Sequence, residues 1–509
     1  MTSTTIALLY TIVLTATVEC ACDIREPHIT IGDKYRLEDY KSDHVFTVGL
    51  VAAGDCLVQP RVRVYSSFGD KIIGPFKSQN VDFKIMDETL PGKPEVPYTK
   101  TAFFYKLTEI DLFDAYSWSI ILDGQVVEGP ISIPKRILQE KSSLKMLIVA
   151  DMDLSPTSAP TINQINKMNP EDYDFFLHAG DFAYDIDNAG GKVGDDFFQE
   201  MSKTTKRIPY LITPGNHEDY AGGHLFNYRF RMPNTDDNNK IRANHFYDMV
   251  IKGTYFMFVD FDYIIKLFTG SATAELLNWM QSRFDMLDKR DDIIWRVFSS
   301  HRPFSCTDWY ADDCSVNMFY LRVFEDMLLK HHFQFLIQGH VHIYLRSRPL
   351  AGLTVMPPNM IGSGAMVSII TGHSGTNHYF AGVSDMRDFE SPIIEAIDSS
   401  GPTYVKLEIT KKLFQSTLVL ADNNQVRDTL IVERKNLLIK NSHKTLIITI
   451  ILLIIMAIAC TIAALLVIRC RHRDTATDIE SMTHEVDSVM VGMVSYKHDD
   501  FRRVEMINP

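Results

Sequence analysis

The chain carries no excess of basic residues. Lys plus Arg number 51 against 64 Asp plus Glu, a formal charge of −13 with His neutral. Counterion release therefore gives it no general hold on nucleic acid, and no nucleic-acid partner is expected. It also lacks the composition of a disordered or collagen-like chain. Apolar residues make up 46 % and charged residues 23 %, with 26 Gly and 21 Pro in 509 residues, which are globular values. Long hydrophobic runs are scarce, and a mean hydropathy of −0.05 excludes a polytopic membrane protein while leaving room for a single span. No internal repeat is present. Cysteine is sparse, at seven residues, whereas histidine is plentiful, at 17, a first pointer to metal or proton chemistry. At about 150 residues per domain the length suggests three or four domains.

Two apolar segments punctuate the ends. Ile6–Val18, with a small-residue cleavage site after Cys20 (Val18 at −3, Cys20 at −1), reads as a secretory signal peptide over 1–20, although no basic residue precedes Arg25. Leu446–Ile468 runs for 23 residues without a charge, long enough for one transmembrane helix. Arg469, Arg471 and Arg473 follow it, but Arg434, Lys435, Lys440 and Lys444 precede it, so the positive-inside rule nearly cancels. The signal peptide then decides the orientation: a type I membrane protein, extracellular or lumenal up to the span, with a cytoplasmic tail over 469–509. The ectodomain keeps Cys22, Cys56, Cys306 and Cys314, an even number suited to an oxidising compartment. Cys22–Cys56 and Cys306–Cys314 are the expected pairs. No Asn-x-Ser/Thr sequon stands in the ectodomain, so N-glycosylation lends no support to secretion.

Residues 21–136 are strand-like. Val45–Val51, Arg61–Ser66, Ala102–Leu107 and Ser117–Leu122 are short β-branched and aromatic runs, and Asp123-Gly124 suits a tight hairpin. A small antiparallel, all-β sandwich is expected there. Over 144–434 the pattern becomes α/β, with apolar strands alternating with amphipathic helices at Ala274–Leu287 and Phe319–His331. Strands return over Thr403–Val432.

Five strand runs in the α/β region each lead into metal-capable residues. Lys145–Ala150 precedes Asp151, and Phe175–His178 precedes Gly180-Asp181-Phe182-Ala183-Tyr184. Tyr210–Thr213 precedes Gly215-Asn216-His217-Glu218, Ile294–Phe298 precedes His301, and Phe333–Ile337 precedes Gly339-His340-Val341-His342. Loops beyond the carboxyl ends of strands converge in open α/β sheets. Any one of these pieces alone is commonplace; five in series predict one shared site. Two Asp, an Asn, a Tyr and three His offer enough oxygen and nitrogen ligands for two metal ions. A bridging carboxylate would hold such a pair about 3.5–4 Å apart. Gly180 and Gly215 are expected to allow sharp turns, and His340 and His342 to share a face of an extended segment.

In this order the motifs resemble the metallophosphoesterases. Tyr184 and the stretch from His301-Arg302-Pro303-Phe304 to Asp312-Asp313-Cys314 resemble the animal, long-chain branch of the purple acid phosphatases. The resemblance covers roughly residues 30–430, and it is specific in the metal loops and weak in the N-terminal region. It implies a two-sheet βαβαβ sandwich preceded by a fibronectin type III-like sandwich. It further implies a ferric ion held by Asp151, Asp181, Tyr184 and His342. A second, divalent Fe, Zn or Mn would be held by bridging Asp181, Asn216, His301 and His340. His217 would be the catalytic residue that grips the phosphate or protonates the leaving oxygen, with Glu218 as support behind it. The implied activity is acid phosphatase: hydrolysis of phosphate monoesters by metal-activated hydroxide. Two other readings stay open, a phosphodiesterase or nucleotide pyrophosphatase on the same site and a metal-binding surface scaffold without turnover.

The sequence departs from the family pattern at four places. Asp153 stands where a Gly is usual, Tyr310 where a substrate-side His is common, Leu345 where a Glu is usual, and His373 where a small residue is commoner. Asp153 is expected to face solvent, and His331-His332 to face solvent at a helix end.

Overall fold

The computed structural model describes residues 22–32, 44–53, 56, 58–87, 89–112, 114–139, 143–218, 223–233, 244–266, 271–304, 322–376, 392–437, 456 and 458–462. Residues 439–509 form a unit separate from the rest. Of the expected span over 446–468, only 456 and 458–462 are described, and they are helical. No helix among the described residues is long and apolar enough to cross a membrane. The expected signal peptide, the cytoplasmic tail, Tyr310 and the Cys306–Cys314 pair lie outside the described residues.

The N-terminal region folds as two antiparallel four-stranded sheets. One runs in the order β1 (Asp23–Ile31), β2 (His44–Ala53), β6 (Glu95–Thr108), β5 (Lys77–Met86). The other runs β4 (Gly69–Ile73), β3 (Arg61–Ser66), β7 (Ala115–Leu122), β8 (Gln125–Ser132). Period-two patterning explains β3, where Val62 and Val64 are buried and Arg61 is exposed. Trp118, Ile120, Phe104 and Val48 belong to a core that continues into the α/β layers through residues such as Leu147 and Phe176. Asp123 and Gly124 both take positive φ, 48° and 78°, the twist that a two-residue β7–β8 hairpin needs. Cys22 and Cys56 form the expected disulfide and fix the start of β1 beside the end of β2.

Two mixed sheets follow. The first has the order β11 (Tyr210–Ile212), β10 (Phe175–His178), β9 (Leu144–Val149), β21 (Thr403–Ile409), β22 (Leu413–Leu420), β23 (Val426–Glu433), with β9, β10 and β11 parallel. The second runs β12 (Phe246–Ile251), β13 (Thr254–Val259), β14 (Trp295–Ser299), β15 (Phe335–Gln338), β19 (Val367–Thr371), β16 (Tyr344–Ser347), β20 (Ile394–Asp398), parallel from β13 to β19. A two-residue pair, β17 (Leu350–Ala351) and β18 (Thr354–Val355), stands apart. The sheets pack face to face: Phe335 stacks on Phe414 with ring centroids 3.5 Å apart, and Trp295 Nε1 donates to the Thr410 carbonyl at 2.7 Å. Strands buried on both faces explain the near-continuous apolar runs in β9, β10 and β14. The same property hid β12 and β13 from sequence reading, since they do not alternate and are joined through Lys252-Gly253 rather than a stronger turn pair.

Helices Ala159–Lys167 and Lys192–Thr205 pack against each other. Helix Ser271–Leu287 and the helix over 322–330 contribute Leu276, Met280, Phe284, Phe324 and Leu328 to a second core with Phe298 and Phe333. His331, at the end of the latter, does not face solvent. It is 6 % exposed, its ring stacks on Phe284, and Nδ1 lies 2.9 Å from Asp288 Oδ2.

The sandwich is joined to the α/β layers by a buried charge cluster. Arg229, 1 % exposed, reaches Glu26 Oε2 on β1 with Nε (2.8 Å) and the Tyr98 hydroxyl on β6 with Nη2 (2.9 Å). It also pairs with Asp195 on helix Lys192–Thr205, which Lys100 approaches to 3.0 Å.

Candidate metal centre

All five metal-capable loops leave the carboxyl ends of β9, β10, β11, β14 and β15, and they meet. Two groups of three side chains place one ligand atom each within 4.8 Å of one another: Asp151, Asp181 and His342, and Asp181, His301 and His340. Asp181 belongs to both. The Tyr184 hydroxyl joins the first group, 3.0 Å from Asp151 Oδ1 and 2.7 Å from His342 Nε2. His301 Nε2 lies 3.1 Å from Asp181 Oδ2 and 4.0 Å from Asp151 Oδ1. The seven residues expected as ligands therefore come from loops that share one place.

Several of these residues hold unusual backbone. Asp151, Asp181, Tyr184 and His340 have φ of 56°, 55°, 54° and 70°. Non-glycine residues avoid this region, and strain of this kind persists where the surroundings over-determine it. The bonds that do so are identifiable. Asp151 N donates to the Gly180 carbonyl (3.0 Å), Met152 N to the Asp181 carbonyl (3.2 Å), and His340 N to Asp151 Oδ2 (2.9 Å).

The two glycines act differently from each other. Gly180 has φ 94°, as a sharp turn requires, and a Cβ there would also lie 2.3 Å from His301 Nδ1. Gly215 has no positive φ; a Cβ on it would meet Asp181 Oδ1 at 2.3 Å. Its role is to leave room for the carboxylate, not to turn the chain. The His340–His342 expectation also needs correcting. That segment is not extended: Val341 N bonds to Gly339 O (2.9 Å) and Ile343 N to Val341 O (2.7 Å), successive three-residue turns. Both imidazoles reach the centre through these turns rather than through strand alternation.

Glu218 is 1 % exposed and acts as a clamp. Its Oε2 accepts from Gly215 N (2.7 Å) and Asp181 N (2.9 Å), and its Oε1 from Phe182 N (2.7 Å), which ties the β10 and β11 loops together. In Glu218→Gln an amide NH₂ must face one of these N–H groups. We expect metal affinity and turnover to fall by about 10- to 100-fold, measured as metal retained against a competing chelator. Unchanged retention would show that the clamp does not set the loop geometry.

His217 points Nδ1 at Asp185 Oδ1 (2.7 Å) and has Nε2 3.8 Å from Asp181 Oδ2. Burial pulls its pKa down, but the Asp185 hydrogen bond and the Asp181 charge outweigh that and hold it up at about 9. Burial likewise opposes His301, which Asp181 and Asp151 raise to about 10. Burial and the same carboxylates push the Tyr184 phenol well above its usual range. The buried carboxylates of the centre thus favour cations beside them, whether protonated imidazole or a metal ion. His340, by contrast, is held neutral by burial and by the neighbouring His301 and Arg302 charges, the form in which imidazole binds a metal. Asn216 Oδ1 is buried and has no hydrogen-bond partner among the described residues, as befits an atom reserved for another group. The donor set, mixed carboxylate, imidazole, amide and phenol around one shared carboxylate, fits two metal ions.

Asp153 does not face solvent. It is 9 % exposed and accepts hydrogen bonds from Ser155 N (2.9 Å), the Ser155 hydroxyl and Ser158 Oγ (2.7 Å), so it caps its own loop. The His373 carbonyl accepts from Thr403 N (2.7 Å) and from the Thr403 hydroxyl (3.1 Å), so the residue is held as part of a packed loop. Leu345 is buried in β16. Sequence reading missed Asp185, Arg302 and Asp262. Asp185 stands four residues after Asp181, a spacing that would have flagged it only with the His217 contact in hand.

Comparison with known proteins agrees with this geometry. Residues 144–344 match the calcineurin-like phosphoesterase family. Human acid phosphatase type 7 is 28 % identical over 221 residues, which cover 40 % of this chain and 48 % of that protein. Purple acid phosphatase 22 of Arabidopsis thaliana is 24 % identical over 214 residues, 40 % of this chain and 45 % of that one. The chain thus spans about half the length of these curated relatives. Among solved structures, purple acid phosphatase PPD1 from yellow lupin seeds superposes with a TM-score of 0.60 at 17 % identity, over 81 % of this chain and 74 % of that one. That likeness extends the shared fold beyond the matched family segment into the N-terminal β-rich region.

Proposed function

We propose that the calcineurin-like phosphoesterase domain over 144–344 makes this chain a dinuclear-metal phosphatase of the purple acid type, hydrolysing phosphate monoesters. The observation that carries this reading is Asp181, one carboxylate common to two ligand groups. Asp151, Asp181, Tyr184 and His342 would hold a ferric ion, and Asp181, Asn216, His301 and His340 a divalent Fe, Zn or Mn. When bound, the metals would activate the attacking water and neutralise charge on the phosphoryl oxygens. The chain's own residues do the rest. Asp185 fixes the His217 ring so that Nε2 faces the centre, where it grips a phosphate oxygen or hands a proton to the leaving oxygen. Glu218 holds the two loops that carry Asp181 and Asn216. The relatives named acid phosphatase support the monoester class.

We place this domain outside the cytosol. The charge-free run over 446–468, the apolar N-terminus and the Cys22–Cys56 disulfide support a type I protein with a signal peptide, a single span and a short cytoplasmic tail.

The test uses the full chain with its metal content measured. Phosphate release from an aryl monophosphate is compared with cleavage of a bis-aryl diester from acid to neutral pH. We expect monoester turnover to dominate and to be highest in acid. Preference for the diester would replace this reading with a phosphodiesterase, and a doubly metallated protein with neither activity would leave the scaffold.

A further inference from the structure

Two cation–carboxylate pairs adjoin the candidate centre. One is His217–Asp185. The other, Arg302–Asp262, has no part in the function proposed above. Arg302 directly follows His301, and its backbone is tightly held. Its carbonyl accepts from Ser300 Oγ (3.0 Å) and Gln338 Nε2 (2.9 Å), and Gln338 Nε2 also reaches Ser300 Oγ (3.3 Å). Arg302 Nε donates to Asp262 Oδ1 at 2.5 Å, and Asp262 is 3 % exposed in helix Phe261–Lys266. Nη1 donates to His340 Nε2 at 2.9 Å. Nη2 has no hydrogen-bond partner among the described residues, and the side chain is 13 % exposed.

The contact with His340 is the informative one. An arginine only donates, so Nε2 must be unprotonated to accept. A neutral imidazole has a single unprotonated nitrogen. If His340 gives Nε2 to a metal, that atom no longer accepts. If it gives Nδ1, the ring proton sits on Nε2, which again cannot accept. Either way Nη1 loses its acceptor, while the Nε–Asp262 bond is untouched. A guanidinium tethered at one edge then presents Nη1 and Nη2 beside His301 and His340, the fork geometry that matches two oxygens of a phosphate.

We propose that Arg302, anchored by Asp262, is the clamp for the substrate's phosphate group on the His301–His340 side of the centre, released for that task when His340 takes up its metal. The proposal rests on the phosphatase reading, and its test separates the two. Full-length wild type, Arg302→Met and Arg302→Lys are compared for metal content, for affinity toward inorganic phosphate by calorimetry on the metal-loaded protein, and for KM and kcat on an aryl monophosphate.

In Arg302→Met we expect phosphate affinity to fall and KM to rise, both by about 10- to 100-fold, with kcat changing less and metal content unchanged. Arg302→Lys keeps the charge but not the fork; it should recover part of the affinity, and it serves if the Met variant does not fold. Unchanged phosphate affinity in both variants overturns the clamp. So does a loss of metal that accounts for the whole effect, because Arg302 would then only position His340. A metal-loaded wild type that neither binds nor releases phosphate overturns the phosphatase reading itself.

Discussion

Asp181→Asn is expected to abolish turnover and to strip the protein of its metals. The substitution is isosteric and can still accept the hydrogen bond from His217 N, 3.1 Å from Oδ1, so the loop has little steric reason to move. What it removes is the one charge shared by the two ligand groups. Burial opposes ionisation of Asp181, yet His301 and the other neighbouring imidazoles hold its pKa below the usual carboxylate range; the asparagine offers them nothing comparable. If the metals contribute about 4 kcal/mol of charge stabilisation, their loss lowers phosphate release by about 1,000-fold. Metal analysis and the aryl phosphate assay, run on the same preparation, check this. Asp153→Asn is the matched control, since Asp153 accepts from Ser155 N and Ser158 Oγ within its own loop, and it should keep both metals. Two metals and wild-type turnover in Asp181→Asn would rule out the bridging role.

Arg229→Met is expected to give the largest loss of stability. Arg229 is buried between Glu26 and Asp195 and sits over the rings of Tyr228 and Phe198 at 4.7 and 5.0 Å. Methionine restores some of the packing but leaves two buried carboxylates, with Lys100 paired to Asp195 at 3.0 Å and acting on Glu26 only as a weaker, more distant charge. Breaking such a cluster from one side costs about 3–5 kcal/mol. The pH dependence has a definite sign. Burial raises Glu26 to about 7 even against the pull of Arg229, and without the guanidinium it rises further. A carboxyl whose folded pKa exceeds its unfolded value adds stability below the unfolded pKa and loses it as pH climbs through the folded one. The variant should therefore be weakest above neutrality and partly recovered in acid. Adding Glu26→Gln should restore part of the loss, as read by denaturant unfolding at both pH values. Equal effects of Arg229→Met at both pH values, with no rescue, would mean that the loss is one of packing alone.

Much of the centre was legible because its pieces are local. A buried strand needs an apolar run, a glycine frees the turn, and the next side chain carries the chemistry; β10 followed by Gly180-Asp181 is such a unit within a few residues. The reading failed where local logic was extrapolated. Strand alternation is what local logic predicts for His340 and His342, yet they sit in successive tight turns, where His340 N reaches Asp151 Oδ2. An extra acidic residue such as Asp153 is expected at the surface, but the Ser155 and Ser158 hydroxyls satisfy it in place.

By itself, the sequence determined the classes of element, the five loops and the residue types that could hold two metals, since these depend on neighbours within a turn or a strand. Tertiary structure alone decided the pairings that give those residues their charge and direction. Asp185 orients His217 from 32 residues away, Asp262 anchors Arg302 from 40, and Arg229 secures Glu26 across 203. A hydrogen bond depends on distance in space, and a single sequence records only distance along the chain.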